Sequence, residues 1–343
     1  MIGTALRIVS VLAIAIGLGL STAAQAGPTL DKIKQQGTMV CGVNTGLAGF
    51  GQPDSQGRYS GFDVDICKAI AAAVVGDPNK VKYVPLTAQQ RFTALQSGEV
   101  DVLSRNTTYT LQRDAELGLN FGPVVFYDGQ GFMVPKKLGV KSAKELNGAT
   151  VCVQPGTTTE LNLADYFRAN NMTFKPLVIE KLDEVVAAYL SGRCDVFTTD
   201  RSGLAAVRIA RTPNPDDHVI LPEVISKEPL APAVRQGDDQ WSDIVRWVVY
   251  ALIAAEEKGI TAKNVDQMTK SEDPDAKRLL GVTPGMGKAL GLDEKWAYNA
   301  IKSVGNYGEI FERNVGRDSP LKLDRGLNDL WTREGLLYAI PIR

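Results

Sequence analysis

Histidine is almost missing from this chain: of 343 residues only His218 is one, in the polar stretch Pro215-Asp216-Asp217-His218. That scarcity excludes a Ser–His–Asp triad and any His-rich metal site. Phosphate-loop, dinucleotide and zinc-protease motifs are also lacking. A charge excess of one sign is missing too, with 38 Lys+Arg against 39 Asp+Glu. The chain therefore has no general electrostatic basis for binding nucleic acid or an anionic membrane. Its apolar run from Ile8 to Leu20 is shorter than the about 20 residues a spanning helix needs, and no stop-transfer run follows. Low-complexity segments are absent. Nothing in the composition assigns a catalytic residue, a cofactor or a metal.

What is present begins with an export signal. Arg7, the apolar run and the small-x-small triplet Ala24-Gln25-Ala26 predict cleavage after residue 26. With no lipobox-type Cys beside that site, the expected product is a free periplasmic protein of a Gram-negative cell, with no membrane insertion after cleavage. An exported chain with four cysteines invites disulfides. Four cysteines allow three connectivities, and spacing does not choose among them. One bridge per lobe, Cys152 with Cys194 and Cys41 with Cys67, is the preferred pattern; buried free thiols are the alternative.

The body of the chain reads as α/β. In Gly61-Phe62-Asp63-Val64-Asp65-Ile66-Cys67-Lys68-Ala69-Ile70-Ala71-Ala72-Ala73-Val74, apolar residues at 66, 69, 70, 73 and 74 share one face of a helix. Asp63 and Asp65 suit the positive end of its dipole, and Gly76 and Pro78 stop it. A weak internal repeat relates Ala94–Leu103 to Ala188–Phe197, each a helix end, a Gly C-cap and a buried strand. Thr87 with Gln90, Ser142 with Glu145, and Thr157 with Glu160 form capping-box patterns. Each half thus follows strand–loop–helix–strand–helix–strand, which implies two parallel sheets with right-handed crossovers. Ligand is then expected at the carboxyl ends of the strands, where two lobes face each other. A long helix is predicted over Trp241–Lys258, and further helical runs near Glu294–Val304 and Leu327–Glu334.

The string Gly61-Phe62-Asp63-Val64-Asp65-Ile66 followed by Ala69-Ile70-Ala71 resembles the signature of family 3 periplasmic solute-binding proteins, the amino-acid receptors of ABC importers. Thr108-Tyr109-Thr110-Leu111-Gln112-Arg113 is similar to that family's carboxylate-binding T-x-T-x-x-R pattern. The resemblance implies a two-lobed type II periplasmic-binding-protein fold, with two doubly wound, mostly parallel sheets joined by a hinge and an extra helical C-terminal extension. It also implies a double crossing: 27–129 and 233–343 form lobe one, extension included, and 130–232 form lobe two.

A free amino acid presents a carboxylate and an ammonium, and burying either is costly unless it is paired. The resemblance places Arg113, Thr108, Thr158 and Thr157 on the ligand carboxylate, and Asp200 with Asn106 on its ammonium. Blind to it, Arg113 reads as a solvated surface residue and Asp200 as a helix N-cap. Asn44, Leu47, Phe50, Arg91 and Arg105 are expected to form the side-chain pocket. Leu47 stands where many relatives carry an aromatic residue. An Arg-lined pocket suits acidic and amide side chains, so the implied function is broad L-amino-acid binding by closure of two lobes. The implied partners are a free L-amino acid and an inner-membrane ABC permease, with the binding protein itself a monomer. Two other readings stay open: a dehydratase-like enzyme on the same scaffold acting on prephenate-like acids, and a sensory module acting through a membrane partner.

Overall fold

The computed structural model describes residues 27–343; the export segment expected at 1–26 lies outside the described residues. Two five-stranded sheets organise the chain. The first runs Val81–Leu86, Met39–Asn44, Val102–Leu103, Ala233–Arg235, Leu119–Phe121. The second runs Lys175–Val178, Thr150–Val153, Val196–Asp200, Gln130–Pro135, His218–Ile220. In each, the first three strands are parallel and the last two join antiparallel. The repeated segments occupy matching places. Leu95 and Tyr189 are buried helix-end residues, Gly98 and Gly192 take the left-handed conformation at φ 80° and 74°, and Val102 and Val196 enter central strands.

The chain crosses between the sheets twice. Phe126–Asp128 leads out and Glu228–Leu230 leads back, and the two pair antiparallel as a small sheet of their own. Because the returning strand Ala233–Arg235 enters the first sheet, that sheet is built from both ends of the chain.

The helix Phe62–Val75 differs from the one-faced helix expected from its periodicity. From Phe62 to Val74 every residue but Lys68 is buried. The extension is the reason: its helix Trp296–Val304 packs along this helix, and Tyr307–Asn314 packs on it as well. Asp65 lies in the first turn of the helix, as expected, and also accepts hydrogen bonds from Arg313 Nη2 at 2.6 Å and Asn314 Nδ2 at 2.7 Å. A carboxylate buried to 7 % exposure needs such partners. Gly61, at φ 132°, starts the helix where a Cβ would lie 2.2 Å from Phe50 O, so only glycine fits.

The long helix spans Asp239–Glu257, capped by the Asp238 side chain accepting from Trp241 N at 3.0 Å. The helix expected over Leu327–Glu334 is two separate 3₁₀ turns, Gly326–Asn328 and Trp331–Arg333, split by an extended Asp329–Leu330. The helix Tyr307–Asn314, missed in the sequence, carries a complete Asn306/Glu309 capping box that signals it. No helix among the described residues is long and apolar enough to cross a membrane.

Cys41 is bonded to Cys67 and Cys152 to Cys194, with Cα separations of 6.4 and 5.7 Å. The second bridge ties two adjacent parallel strand regions across 42 residues of chain. Replacing Cys152 and Cys194 together by Ser is expected to lower unfolding free energy by about 3–4 kcal/mol through loop entropy, read by urea titration. An unchanged midpoint would show that the bridge does not constrain the unfolded chain.

Candidate functional site

Four strands end at one cleft. Met39–Asn44 delivers Asn44, Val102–Leu103 runs into Ser104–Thr108, Thr150–Val153 runs into Gln154–Thr158, and Val196–Asp200 delivers Asp200. A cavity of about 40 Å³ lies between them, and Asn44, Leu47, Arg91, Arg105, Asn106, Thr108, Thr157, Thr158 and Asp200 are on its wall.

The lobe-one wall is held from behind. Asp63 turns from its helix to the strand-end loop, accepting from Asn106 N at 2.9 Å and Ser104 Oγ at 3.5 Å. Burial pushes its carboxyl up to about 7. Asn106 sits at φ 34°, a conformation asparagine tolerates, and its Oδ1 accepts from Asn44 Nδ2 at 3.0 Å. Three buried arginines follow. Arg105 Nε donates to Leu86 O at 2.9 Å. Among the described residues Arg91 makes only long bonds, to Thr107 Oγ1 and Gly156 O at 3.4 Å each, and its buried Nε has no partner. Arg113 Nη1 donates to Thr108 O at 2.9 Å while its guanidinium lies over the Phe92 ring. Burial and, for Arg91, the neighbouring Arg105 and Arg113 charges lower all three, Arg105 and Arg113 to about 10. Three guanidiniums this close form a strong anion field.

On the lobe-two wall, Thr157 caps the helix Thr158–Ala169: its hydroxyl accepts from Glu160 N at 3.1 Å and donates to Gln154 O at 2.8 Å. Glu160 Oε2 accepts from Gly156 N at 3.1 Å. Asp200 heads the helix Arg201–Arg211, yet its side chain caps nothing and has no hydrogen-bond partner among the described residues. Burial first, then the neighbouring carboxyls of Asp128 and Glu228, raise it well above the usual range. Burial likewise raises Asp128 to about 6 despite its bond from Gly129 N at 2.8 Å. An unpartnered buried carboxyl on a cavity wall is a site for a cation.

Between the walls stands Glu228, on the returning hinge strand and buried. Its Oε2 accepts from Thr108 Oγ1 at 2.6 Å in lobe one and Thr158 Oγ1 at 2.7 Å in lobe two. Its Oε1 accepts from Asn162 Nδ2 at 2.8 Å and Ser226 Oγ at 2.6 Å. The lobes also meet where Thr87 Oγ1 donates to Glu180 Oε1 at 2.7 Å and Arg211 Nη2 donates to Gly46 O at 3.1 Å. The arrangement is closed.

Three expectations from sequence need correction. Phe50 is not in a side-chain pocket: it is 1 % exposed and packs against Phe62 and Phe126, because the turn Leu47–Gly51 folds it under the loop. The Thr157 hydroxyl is used up by its own helix cap, so only backbone groups there face the cleft. Arg113 stands beside Thr108 rather than on the cavity wall. Glu228 and Asp128 were missed. Both lie on hinge strands three residues long, where nothing in Lys227-Glu228-Pro229 marks a buried carboxylate.

The family described as bacterial extracellular solute-binding proteins, family 3, matches residues 39–267. The general L-amino acid-binding periplasmic protein AapJ of Rhizobium johnstonii is 62% identical over 95% of this chain and 96% of its own length. The glutamate/glutamine/aspartate/asparagine-binding protein BztA of Rhodobacter capsulatus is 58% identical over 94% of this chain and 96% of its own. Among solved structures, a periplasmic binding protein of an ABC transporter from Brucella ovis, with glutathione bound, superposes with a TM-score of 0.90 at 60% identity. That match covers 92% of this chain and 99% of the other.

Replacing Glu228 by Ala orphans hydroxyl and amide donors from both lobes and the hinge. It is expected to lower stability of the unliganded protein by about 2–4 kcal/mol, measured by urea unfolding; a change below about 0.5 kcal/mol would show those donors are satisfied otherwise.

Proposed function

The chain belongs to the bacterial extracellular solute-binding proteins of family 3, and from that premise we propose that it binds L-amino acids of broad side-chain type, favouring acidic and amide ones. Its relatives are named as binding components of amino-acid ABC transporters, and it is a binding component rather than an enzyme. The proposed partner is an inner-membrane permease that recognises the closed form, and the proposed location is the periplasm.

The observation that carries the reading is the separation of unlike charge across one cleft. Arg113, set beside Thr108 with Nε and Nη2 free of protein partners among the described residues, and the backbone at Thr108, Thr157 and Thr158 would take the α-carboxylate, since the Thr108 and Thr158 hydroxyls already donate to Glu228. Asp200 would take the ammonium. Asn106 Oδ1 is already engaged by Asn44, so any contribution from Asn106 falls to its backbone. Arg91 and Arg105 supply more cation than one carboxylate needs, which favours ligands with a second anionic or amide group. The same surplus supports a second reading, a short peptide with two carboxylates, as in the glutathione complex of the Brucella ovis relative. Charged hydrogen bonds contribute roughly 1.5–3 kcal/mol each. Four or five spanning both lobes suffice for the about −8 kcal/mol of a micromolar ligand after closure costs.

Mature protein stripped of ligand by unfolding and refolding is expected to melt higher with Glu, Gln, Asp and several other L-amino acids, and with glutathione if the second reading holds. Arg113→Ala should weaken all amino acids by about 100-fold. A flat panel would sink the proposal and point to prephenate-like acids.

Binding should also release protons. In the unliganded cleft, Asp200 and Asp128 hold their protons above the usual aspartate range; an ammonium against Asp200 favours the ionised form. Affinity is therefore expected to fall as pH drops through the raised range in which Asp200 takes up its proton. Calorimetry in buffers of different ionisation enthalpy would read the released protons, and proton uptake would contradict the assignment of Asp200.

A further inference from the structure

The hinge strands Phe126–Asp128 and Glu228–Leu230 place Tyr127 opposite Pro229, which has no N–H to give. The N–H and C=O of Tyr127 turn to the outer edge instead. There the carboxamide of Asn328 takes both: Asn328 Oδ1 accepts from Tyr127 N at 2.6 Å, and Asn328 Nδ2 donates to Tyr127 O at 3.1 Å. Asn328 is 5 % exposed. Just before that strand, the buried Tyr307 Oη donates to Val125 O at 2.7 Å. The Arg325 guanidinium lies over the Tyr307 and Phe311 rings and pairs with Glu256, fixing the turn that carries Asn328. At the opposite edge, Tyr109 N donates to Pro229 O at 2.8 Å.

Both outer edges of the hinge are thus held by groups that pack with the first sheet. One edge is supplied by residues beyond position 267, where the family match ends. A carboxamide is the side-chain equivalent of a peptide unit, so Asn328 stands in for a third strand.

We propose that Asn328 is a hinge-positioning residue: it fastens Tyr127 to lobe one and confines lobe movement to the far side of the hinge, at Asp128–Gly129 and Ser226–Glu228. The extension thereby limits how far the unliganded protein opens, and so sets a part of the affinity common to every ligand. Releasing Tyr127 widens the open ensemble, and closure must then reverse that widening whatever is bound. The affinity consequence rests on the binding function proposed above; the restraint on opening does not.

The test uses the full mature chain with one distance label on each lobe. Asn328→Ala is expected to broaden the unliganded interlobe distance distribution and raise Kd by about three- to tenfold for every ligand bound, with their order unchanged. Asn328→Asp, whose second carboxylate oxygen faces Tyr127 O with no proton between them at neutral pH, should loosen the hinge at least as much. A lowered melting temperature with unchanged distribution and Kd would reduce Asn328 to a structural contact and overturn the proposal. A changed ligand order would overturn it too, by placing Asn328 on the site itself. If Asn328→Ala does not fold, Asn328→Asp and Tyr307→Phe carry the same comparison. Failure of the unmodified protein to bind any amino acid would refute the binding reading and leave the distance distributions to judge the hinge.

Discussion

Charge taken out of water must find an opposite charge or a dense set of hydrogen bonds, and the cleft of this protein is arranged around that requirement. Arg91, Arg105 and Arg113 are buried at the ends of lobe-one elements, while Asp200 is buried at the end of a lobe-two strand. Neither lobe holds a balanced set by itself. Among the described residues Arg91 Nε has no hydrogen-bond partner and the Asp200 side chain caps nothing, two unmet demands of the kind the proposed zwitterionic ligand would meet together. On the proposed reading, a ligand that answers both touches both lobes.

Glu228 gives this arrangement a mechanical centre. It sits on the hinge, yet its carboxylate collects hydroxyls from both lobes on one oxygen and Asn162 and Ser226 on the other. The Thr108 and Thr158 hydroxyls are thus committed to Glu228 and join the two lobes to the crossing strand. Asp63 performs a quieter task, holding the Ser104–Asn106 backbone so that Asn106 keeps its positive φ and Arg105 and Asn44 face the cavity.

The C-terminal extension changes what the first lobe is. Its helices cover the Phe62–Val75 helix, turning what periodicity describes as a half-exposed helix into a fully enclosed one, with Asp65 paired to Arg313 beneath. The same segment reaches the hinge edge at Tyr127. A stretch outside the shared family region thus contacts both the core and the strands that cross between the sheets.

Periodicity, caps and the internal repeat were enough to read two parallel α/β halves with sites at their strand ends, because those signals are local: a Gly C-cap, a buried strand and a helix face each lie within about a dozen residues. Residues carried by motif, such as Asn44, Thr108, Thr158 and Asp200, lie at strand ends for the same reason. What the chain alone did not determine depends on contacts between distant residues. Phe50 left the pocket because Phe62 and Phe126 offered it a core, and Thr157 spent its hydroxyl on its own helix. Glu228 became the meeting point of two lobes from a segment with no local mark. Asn328 found Tyr127 some two hundred residues away. Local chemistry wrote the elements and their ends; only the packed lobes decided which buried charges face one another, since a charge acquires a partner only in the folded arrangement.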